Sequence, residues 1–438
     1  MVDASQRRAR LSAEKRALLD QRLRGQKAKP APQVKVRPRE HRNVAPLSFA
    51  QQRLWFLEHW DPGTAVYNVC IPLRIRGPLD VAALERSLNK LVERHEVLRS
   101  YLLSTFRGEP SQVILPHLAV RLPIVPLSLA EDERATFLQD LIAREARQPL
   151  ALDQAPLFRA TVYRFGADDH VLFFLIHHII YDSWSLGIFL KEWFHFYNAY
   201  ASGRDAVLPE LPFQYGDFAI WQREQIDNEV HRKQAAYWTR QLADRETVLE
   251  LLTDHHRPAH LTYTGRLHRL AIPAELKRAL AELSRAEGTT FYVTTLAAFS
   301  VLLYHHTGHS DLIVGTPVAH RPYSETEPLI GYFVNTLPVR VRPAGELSFR
   351  DLLRQVQATM LDALDNLSLP FERMIDELHL ERDTSRSPLF QIFFATQKNQ
   401  MPAFHAGSLT FESCHLDNGT AMFELSVFLY KKIGRAHV

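Results

Sequence analysis

Cysteine is scarce in this chain: Cys70 and Cys414 are the two thiols among 438 residues, far apart and without CxxC spacing. That excludes a disulfide framework of the kind that staples small secreted domains, and it excludes a thiolate metal site. Long apolar runs are missing as well. No uninterrupted stretch reaches the roughly 18 to 20 residues that cross a bilayer, and the charged N-terminus has no apolar segment behind it. Neither membrane insertion nor secretion is indicated, and a reducing cytoplasm is the expected setting. Nor is there a large excess of one charge, since the net charge is only +3. That figure hides an asymmetry: residues 1–42 hold 13 Lys or Arg against 4 Asp or Glu, a balance of +9, which leaves −6 for the rest. A nucleic-acid binder would carry its basic residues on a folded face among aromatics, so no nucleic-acid partner is expected.

What the chain does have is apolar material. At 46% hydrophobic residues it can bury a large core, and its length suits two or three compact units. In the basic leader, leucines at 11, 18, 19 and 23, with Ser12 as N-cap and Gly25 as a stop, predict one short amphipathic helix. Residues 26–46 have linker composition. Residues 1–45 therefore read as a helix and basic linker, serving either as a docking element for a partner protein or as a solubilising tail.

From residue 46 onward strands and helices alternate. Val69–Ile75 alternates like a strand, and Asp80 caps a helix whose Leu84, Leu88, Leu91 and Val92 form one stripe. Phe158–Phe165 and Val171–Ile176 read as a hairpin across Gly166-Ala167-Asp168-Asp169. Further on, helices are expected over Pro273–Ala286 and Phe291–Tyr304 and after Ser348, with strands at Leu312–Pro317, Gln391–Thr396 and Phe423–Tyr430. Pro209 and Pro212 interrupt both patterns, which divides the body into 46–212 and 213–432. Residues 433–438, Ile-Gly-Arg-Ala-His-Val, match what a sequencing adapter encodes when read through. They are expected to be an artefact that truncates the second unit.

The sharpest local signal is His177-His178-Ile179-Ile180-Tyr181-Asp182-Ser183-Trp184-Ser185, between an apolar strand and an apolar helix. A strand end is where a side chain can face a cleft. Paired histidines alone decide little, because His255-His256 and His305-His306 occur here without such surroundings. A shared metal ion is disfavoured: neighbouring strand residues point to opposite faces, and no third ligand stands at a useful spacing.

Other motifs accompany it in order. They are Ser48-Phe49-Ala50-Gln51-Gln52-Arg53-Leu54-Trp55, Arg94-His95-Glu96-Val97-Leu98-Arg99, Tyr215-Gly216-Asp217-Phe218-Ala219-Ile220-Trp221-Gln222, Ile330-Gly331-Tyr332-Phe333-Val334-Asn335-Thr336-Leu337, Leu369-Pro370-Phe371-Glu372 and Arg382-Asp383-Thr384-Ser385-Arg386-Ser387-Pro388-Leu389. Over roughly residues 46–430 this series resembles the condensation domain of a nonribosomal peptide synthetase. The resemblance implies an α/β (α+β) fold of two chloramphenicol acetyltransferase-like lobes, a V-shaped pseudo-dimer with a central tunnel. It also implies amide formation between a donor acyl thioester and an acceptor aminoacyl thioester. No cofactor would be bound covalently; phosphopantetheine arms would come from upstream donor and downstream acceptor carrier domains, with an adenylation domain adjoining in a longer protein.

By the same resemblance His178 is the catalytic residue, and His177, Asp182, Ser183 and Arg321 support its loop, Asp182 by pairing with Arg321. Arg99, Asn335 and Trp184 either line the tunnel or brace it. Ser183 and His320 stand where the family has glycine, and the serine is expected to narrow the tunnel or to disfavour a positive φ. Two readings compete with the main one: a non-catalytic docking module of the same fold, and a starter domain that loads a fatty acyl group.

Overall fold

Val171–Ile176 is apolar at every position, and a strand can bury every position only when both its faces are covered. The computed structural model describes residues 36–430 apart from 105–107, 227, 246–247, 322, 381–382, 384, 398–403, 407 and 415–416, and it covers this strand on both faces. The leader helix, residues 26–35 of its linker, Arg382, Thr384 and residues 433–438 lie outside the described residues.

The first unit opens with β1 (Val44–Pro46) and helix α1 (Phe49–Trp60). Strand β2 (Asn68–Arg76) and helix α2 (Val81–Arg94) follow, with Asp80 capping α2 through Ala83 N–H. Strands β3 (Ser100–Ser104) and β4 (Pro110–Ile114) join β1 in a three-stranded sheet. Next come β5 (Ile124–Pro126), helix α3 (Glu131–Ala146), and the antiparallel pair β6 (Phe158–Arg164) and β7 (Asp169–His177). Leu172, Phe174 and Ile176 point toward α2 and toward helix α4 (Ser183–Ala201), while Val171, Phe173 and Leu175 pack on α3. The period of two puts alternate residues on opposite faces, so both sets are buried.

Helix α5 (Tyr215–Gln225) then leads into α6 (Glu229–Gln241). The second unit holds α7 (Ala274–Ala286), α8 (Phe291–Thr307), β8 (Leu312–Ala319), β9 (Val334–Val341), α9 (Phe349–Asp365) and α10 (Phe371–Leu378). It continues with β10 (Ile392–Gln397), β11 (Phe404–Ala406), β12 (Leu409–Ser413) and β13 (Leu425–Tyr430). Its sheet runs β13-β10-β8-β9, whereas the first sheet runs β11-β12-β2-β7-β6-β5.

A division at 212/213 does not describe this packing. Phe213, Tyr215 and Phe218 lie in the first core, and the second core begins with α6 at Trp238. The prolines mark a break in pattern, but the apolar face of α5 finds its partners on the first unit. Strand β12 also crosses back to pair with β2, which sends Leu409 and Phe411 into the first core. Gly77 permits that return, since its φ is +111° and a Cβ there would sit 2.7 Å from the Ser408 carbonyl oxygen.

One connection sets the position of α10. Between α9 and α10, five successive carbonyls are each held by a side chain. Gln234 donates to Asp365 O at 3.3 Å and Trp238 to Asn366 O at 3.0 Å. Asn335 donates to both Leu367 O (2.8 Å) and Leu369 O (2.9 Å), and His231 Nε2 lies 3.1 Å from Ser368 O. Asn335 Oδ1 also accepts Phe371 N–H at 3.0 Å, at the first residue of α10. Buried carbonyls without donors are costly, so Asn335→Ala is expected to destabilise the fold by about 3 kcal/mol. Urea unfolding followed by tryptophan fluorescence would register the change, and an unmoved midpoint would show that water replaces the amide at no cost.

Candidate active site

Strand β7 ends at His177, and the chain then turns through a short 3-10 segment, His178–Ile180, into the start of α4. Three contacts fix that turn. His178 N–H donates to Tyr67 O at 2.8 Å, His177 N–H to Leu157 O at 3.0 Å, and Gln51 of α1 donates to Ile179 O at 3.0 Å. Gln51 is itself held by the Ser48 capping box, in which Ser48 accepts Gln51 N–H and Gln51 accepts Ser48 N–H.

The imidazole of His178 has Nδ1 2.7 Å from Tyr181 O. A carbonyl can only accept, so Nδ1 carries the proton in the neutral ring and Nε2 keeps a free lone pair. The ring lies on the wall of a cleft of about 3610 Å³ lined from both units, with Arg53, Tyr67, Tyr181 and Ser183 on one side and Tyr332, Thr336 and Glu372 on the other. Burial lowers the His178 pKa, against the opposing pull of the Tyr181 carbonyl and Asp182. His177 is the more deeply enclosed: it is 1% exposed, accepts Ile179 N–H on Nδ1 at 3.1 Å, and is pushed down to about 3 by burial and then by His178. It packs behind the site and does not line the cleft.

Asp182 caps α4. Its Oδ1 accepts Ser185 N–H at 2.7 Å, its Oδ2 accepts Phe333 N–H at 3.0 Å, and Arg321 Nη2 approaches Oδ1 at 3.3 Å. Both side chains of the ion pair are almost fully buried. Arg321 also donates to Leu329 O at 2.7 Å and lies over the Phe333 ring at 4.0 Å from its centroid. The carboxylate thus has no path to act on a substrate; it ties the histidine turn to the segment that enters β9.

Ser183 is the first residue of α4, lines the cleft and is absent from the described residues with positive φ, so its β-carbon meets no backbone strain. His320 donates its N–H to Phe333 O at 3.1 Å, and burial, then His231, pushes its ring down to about 4. Of the three residues expected to line or brace the tunnel, none is on the wall of the main cleft. Arg99 donates to the carbonyls of Val92, Glu93 and Leu115, because the end of α2 leaves acceptors that a half-buried guanidinium can satisfy. Asn335 braces the α9–α10 connection. Trp184 is 47% exposed and donates to Glu327 O at 3.1 Å.

The cleft residues that sequence reasoning left unassigned are Arg53, Tyr67, Tyr332 and Glu372. Arg53, Tyr332 and Glu372 fall within the quoted motifs, which was the available signal, but nothing in their spacing separates a cleft-facing side chain from a packed one. Arg53 sits over Phe371 at 4.9 Å from the ring centroid. Burial raises the Glu372 carboxyl, partly opposed by Arg53. Tyr332 presents its ring to His178 at 5.2 Å between centroids and 63° between planes.

The His178 imidazole thus faces a cleft lined from two sheet-and-helix units. The chain belongs to the condensation domain family, whose model matches residues 41–438. It is similar to one of the linear gramicidin synthase proteins of Brevibacillus parabrevis, 42% identical over 390 residues, covering 88% of this chain and 8% of that protein. It is also similar to the X-domain in a complex with OxyB from teicoplanin biosynthesis, at TM-score 0.80 and 26% identity over 93% of this chain and 88% of that one. The first condensation domain of the CDA synthetase shares the fold at TM-score 0.72, with 23% identity, covering 89% and 90% of the two chains. The fold is thus the two-lobed chloramphenicol acetyltransferase-like one. No single helix among the described residues is long and apolar enough to cross a membrane.

The histidines imply an acid sensitivity. Burial holds His95, His177, His178 and His320 below the ordinary value, in His95 against the pull of Glu192. In the unfolded chain these rings regain a pKa of about 6.5. Their neutral burial therefore costs nothing above that value, and stability falls as pH drops below it, because the unfolded state then binds more protons. The urea midpoint is expected to be lower at about pH 5 than at about pH 7.5. Equal midpoints would mean that these rings protonate inside the fold.

Proposed function

We propose that this domain joins two carrier-bound acyl groups by an amide bond. An amine nitrogen attacks a thioester carbonyl carbon, the carbon–sulfur bond breaks, and the proton shed by nitrogen ends on the departing thiol. No electrons change hands. The observation that carries the reading is the His178 ring, with Nδ1 tied to Tyr181 O and the other nitrogen free on a cleft shared by both units.

An α-amine has a pKa of about 7.7 to 8.0, so a useful fraction is neutral near pH 7 and needs no strong base. An imidazole with a depressed pKa stays neutral there and can take the proton from the attacking nitrogen. Holding two tethered substrates in one cleft replaces a bimolecular encounter, which accounts for much of the rate. The substrates would arrive on phosphopantetheine arms from donor and acceptor carrier domains, with an adenylation domain elsewhere in the polypeptide. The cleft suits such arms: it is roomy, is lined from both units, and has Tyr67, Tyr332 and Arg53 on its walls, whose hydroxyls and guanidinium suit amide and carbonyl groups. The chain spans 8% of the gramicidin synthase protein it matches, so the larger protein's product is a separate question. In this reading the domain works in the cytoplasm.

The likeness to an X-domain in complex with OxyB favours a second reading, a module of this fold that binds another protein. Replacing His178 separates the two. His178→Ala is expected to abolish amide formation while leaving carrier binding unchanged, measured by product mass spectrometry and by titration calorimetry. Wild-type turnover in that variant would favour the binding module. In the active protein, the acid side of kcat/KM is expected to show two breaks, one from the substrate amine at about 7.7 to 8.0 and a second below about 6.5, where burial places the ring's pKa.

A further inference from the structure

The segment that presents Tyr332 to His178 is pinned at both neighbours. Gly331 N–H donates to Ser185 Oγ at 3.1 Å, and Phe333 N–H donates to Asp182 Oδ2 at 3.0 Å. The carbonyl of Tyr332 itself accepts the Tyr215 hydroxyl at 2.7 Å, and that hydroxyl lies 2.8 Å from Ser48 Oγ. Gly331 admits no side chain, since a Cβ there would fall 2.1 Å from the Tyr215 ring. Backbone groups of three successive residues are thus locked, those of Gly331 and Phe333 to the start of α4 just after His178 and that of Tyr332 to α5, and the Tyr332 side chain meets the imidazole edge-on.

His178 is fixed on one side only by its own loop, through the Tyr181 carbonyl. A single hydrogen bond leaves rotation about that axis open. The Tyr332 ring closes it, and it occupies the flank where cleft water would otherwise reach the imidazole. No described hydrogen bond engages the Tyr332 hydroxyl, so the contact with His178 is made by the ring.

We propose that Tyr332 is a positioning residue for the chemistry at His178, its ring edge fixing the rotation of the imidazole and excluding water from one flank. The inference rests on the reading of His178 as the reacting group. The charged and titratable groups around His178 are His177 behind it, Tyr181 and Asp182 on its own loop and Tyr332 against its ring, while Tyr67, Arg53 and Glu372 stand on the walls of the same cleft.

Two variants test it. Y332F keeps the ring and Y332A removes it, with thermal melting to show that both fold. The first readout needs no substrate: the His178 ring pKa by NMR of histidine-labelled protein, its signal assigned by its loss in H178A. Y332A is expected to raise that pKa by about one unit, as water reaches the ring, and Y332F to leave it in place. The second readout is amide formation from acetyl-pantetheine and aminoacyl-pantetheine thioesters drawn from the common amino acids. Y332A is expected to lower kcat by on the order of tenfold to a hundredfold with little change in KM, and Y332F to restore it. An unshifted His178 pKa in folded Y332A, or a Y332F as impaired as Y332A, would overturn the proposal. Turnover retained in H178A would instead overturn the assignment of His178, whatever Tyr332 does.

Discussion

The buried carboxylate of Asp182 is the constraint on which the site depends. It caps α4, accepts a backbone N–H from Phe333 in the other unit, and pairs with Arg321 at 3.3 Å. A buried ion pair is poor evidence of net stability, because desolvation offsets much of the attraction. Its value here is geometric. Removing either charge would leave the other unpaired in the interior, so the two units cannot slide at this point without heavy cost, and the histidine turn keeps its place against the β9 segment.

From that tie the rest of the site follows. The turn at His178 is held from below by Tyr67 O and from the side by Gln51, whose own position comes from the capping box of α1. The opposite wall is set by Asn335, which gathers the carbonyls ahead of α10 and so delivers Glu372 to the cleft. Several of the motif residues therefore act on each other and only indirectly on a substrate. Ser48, Gln51, Asn335, Asp182 and Arg321 are framing residues, and the His178 ring is among those that face the space they frame.

Local pattern made much of this legible. The α2 stripe of Leu84, Leu88, Leu91 and Val92 is wholly buried, the β6–β7 hairpin forms where expected although Asp169 belongs to β7 and not to the turn, and Ser348 caps α9. The pairing of Asp182 with Arg321 could be named because family resemblance supplied it; the residues stand 139 apart and no spacing rule joins them. The boundary between the units departs from its expected place for a matching reason. Two prolines break a pattern wherever they fall, but which core claims α5 is decided by the partners its apolar face meets, and those are β1 and the Glu96–Arg99 turn of the first unit together with Phe333, which the segment before β9 sends into the first core.

The sequence by itself determined the elements, the place of the histidine turn at the end of a doubly buried strand, and the family. These depend on periodicity, caps and ordered motifs, all of which are local. Only the tertiary structure decided that Arg99 satisfies a helix end, that Trp184 lies outside the cleft, that β12 returns to the first sheet, and that Tyr332 stands edge-on to His178. The reason is physical: a side chain's role depends on which face the fold turns to the cleft, and that is set by contacts between residues far apart along the chain.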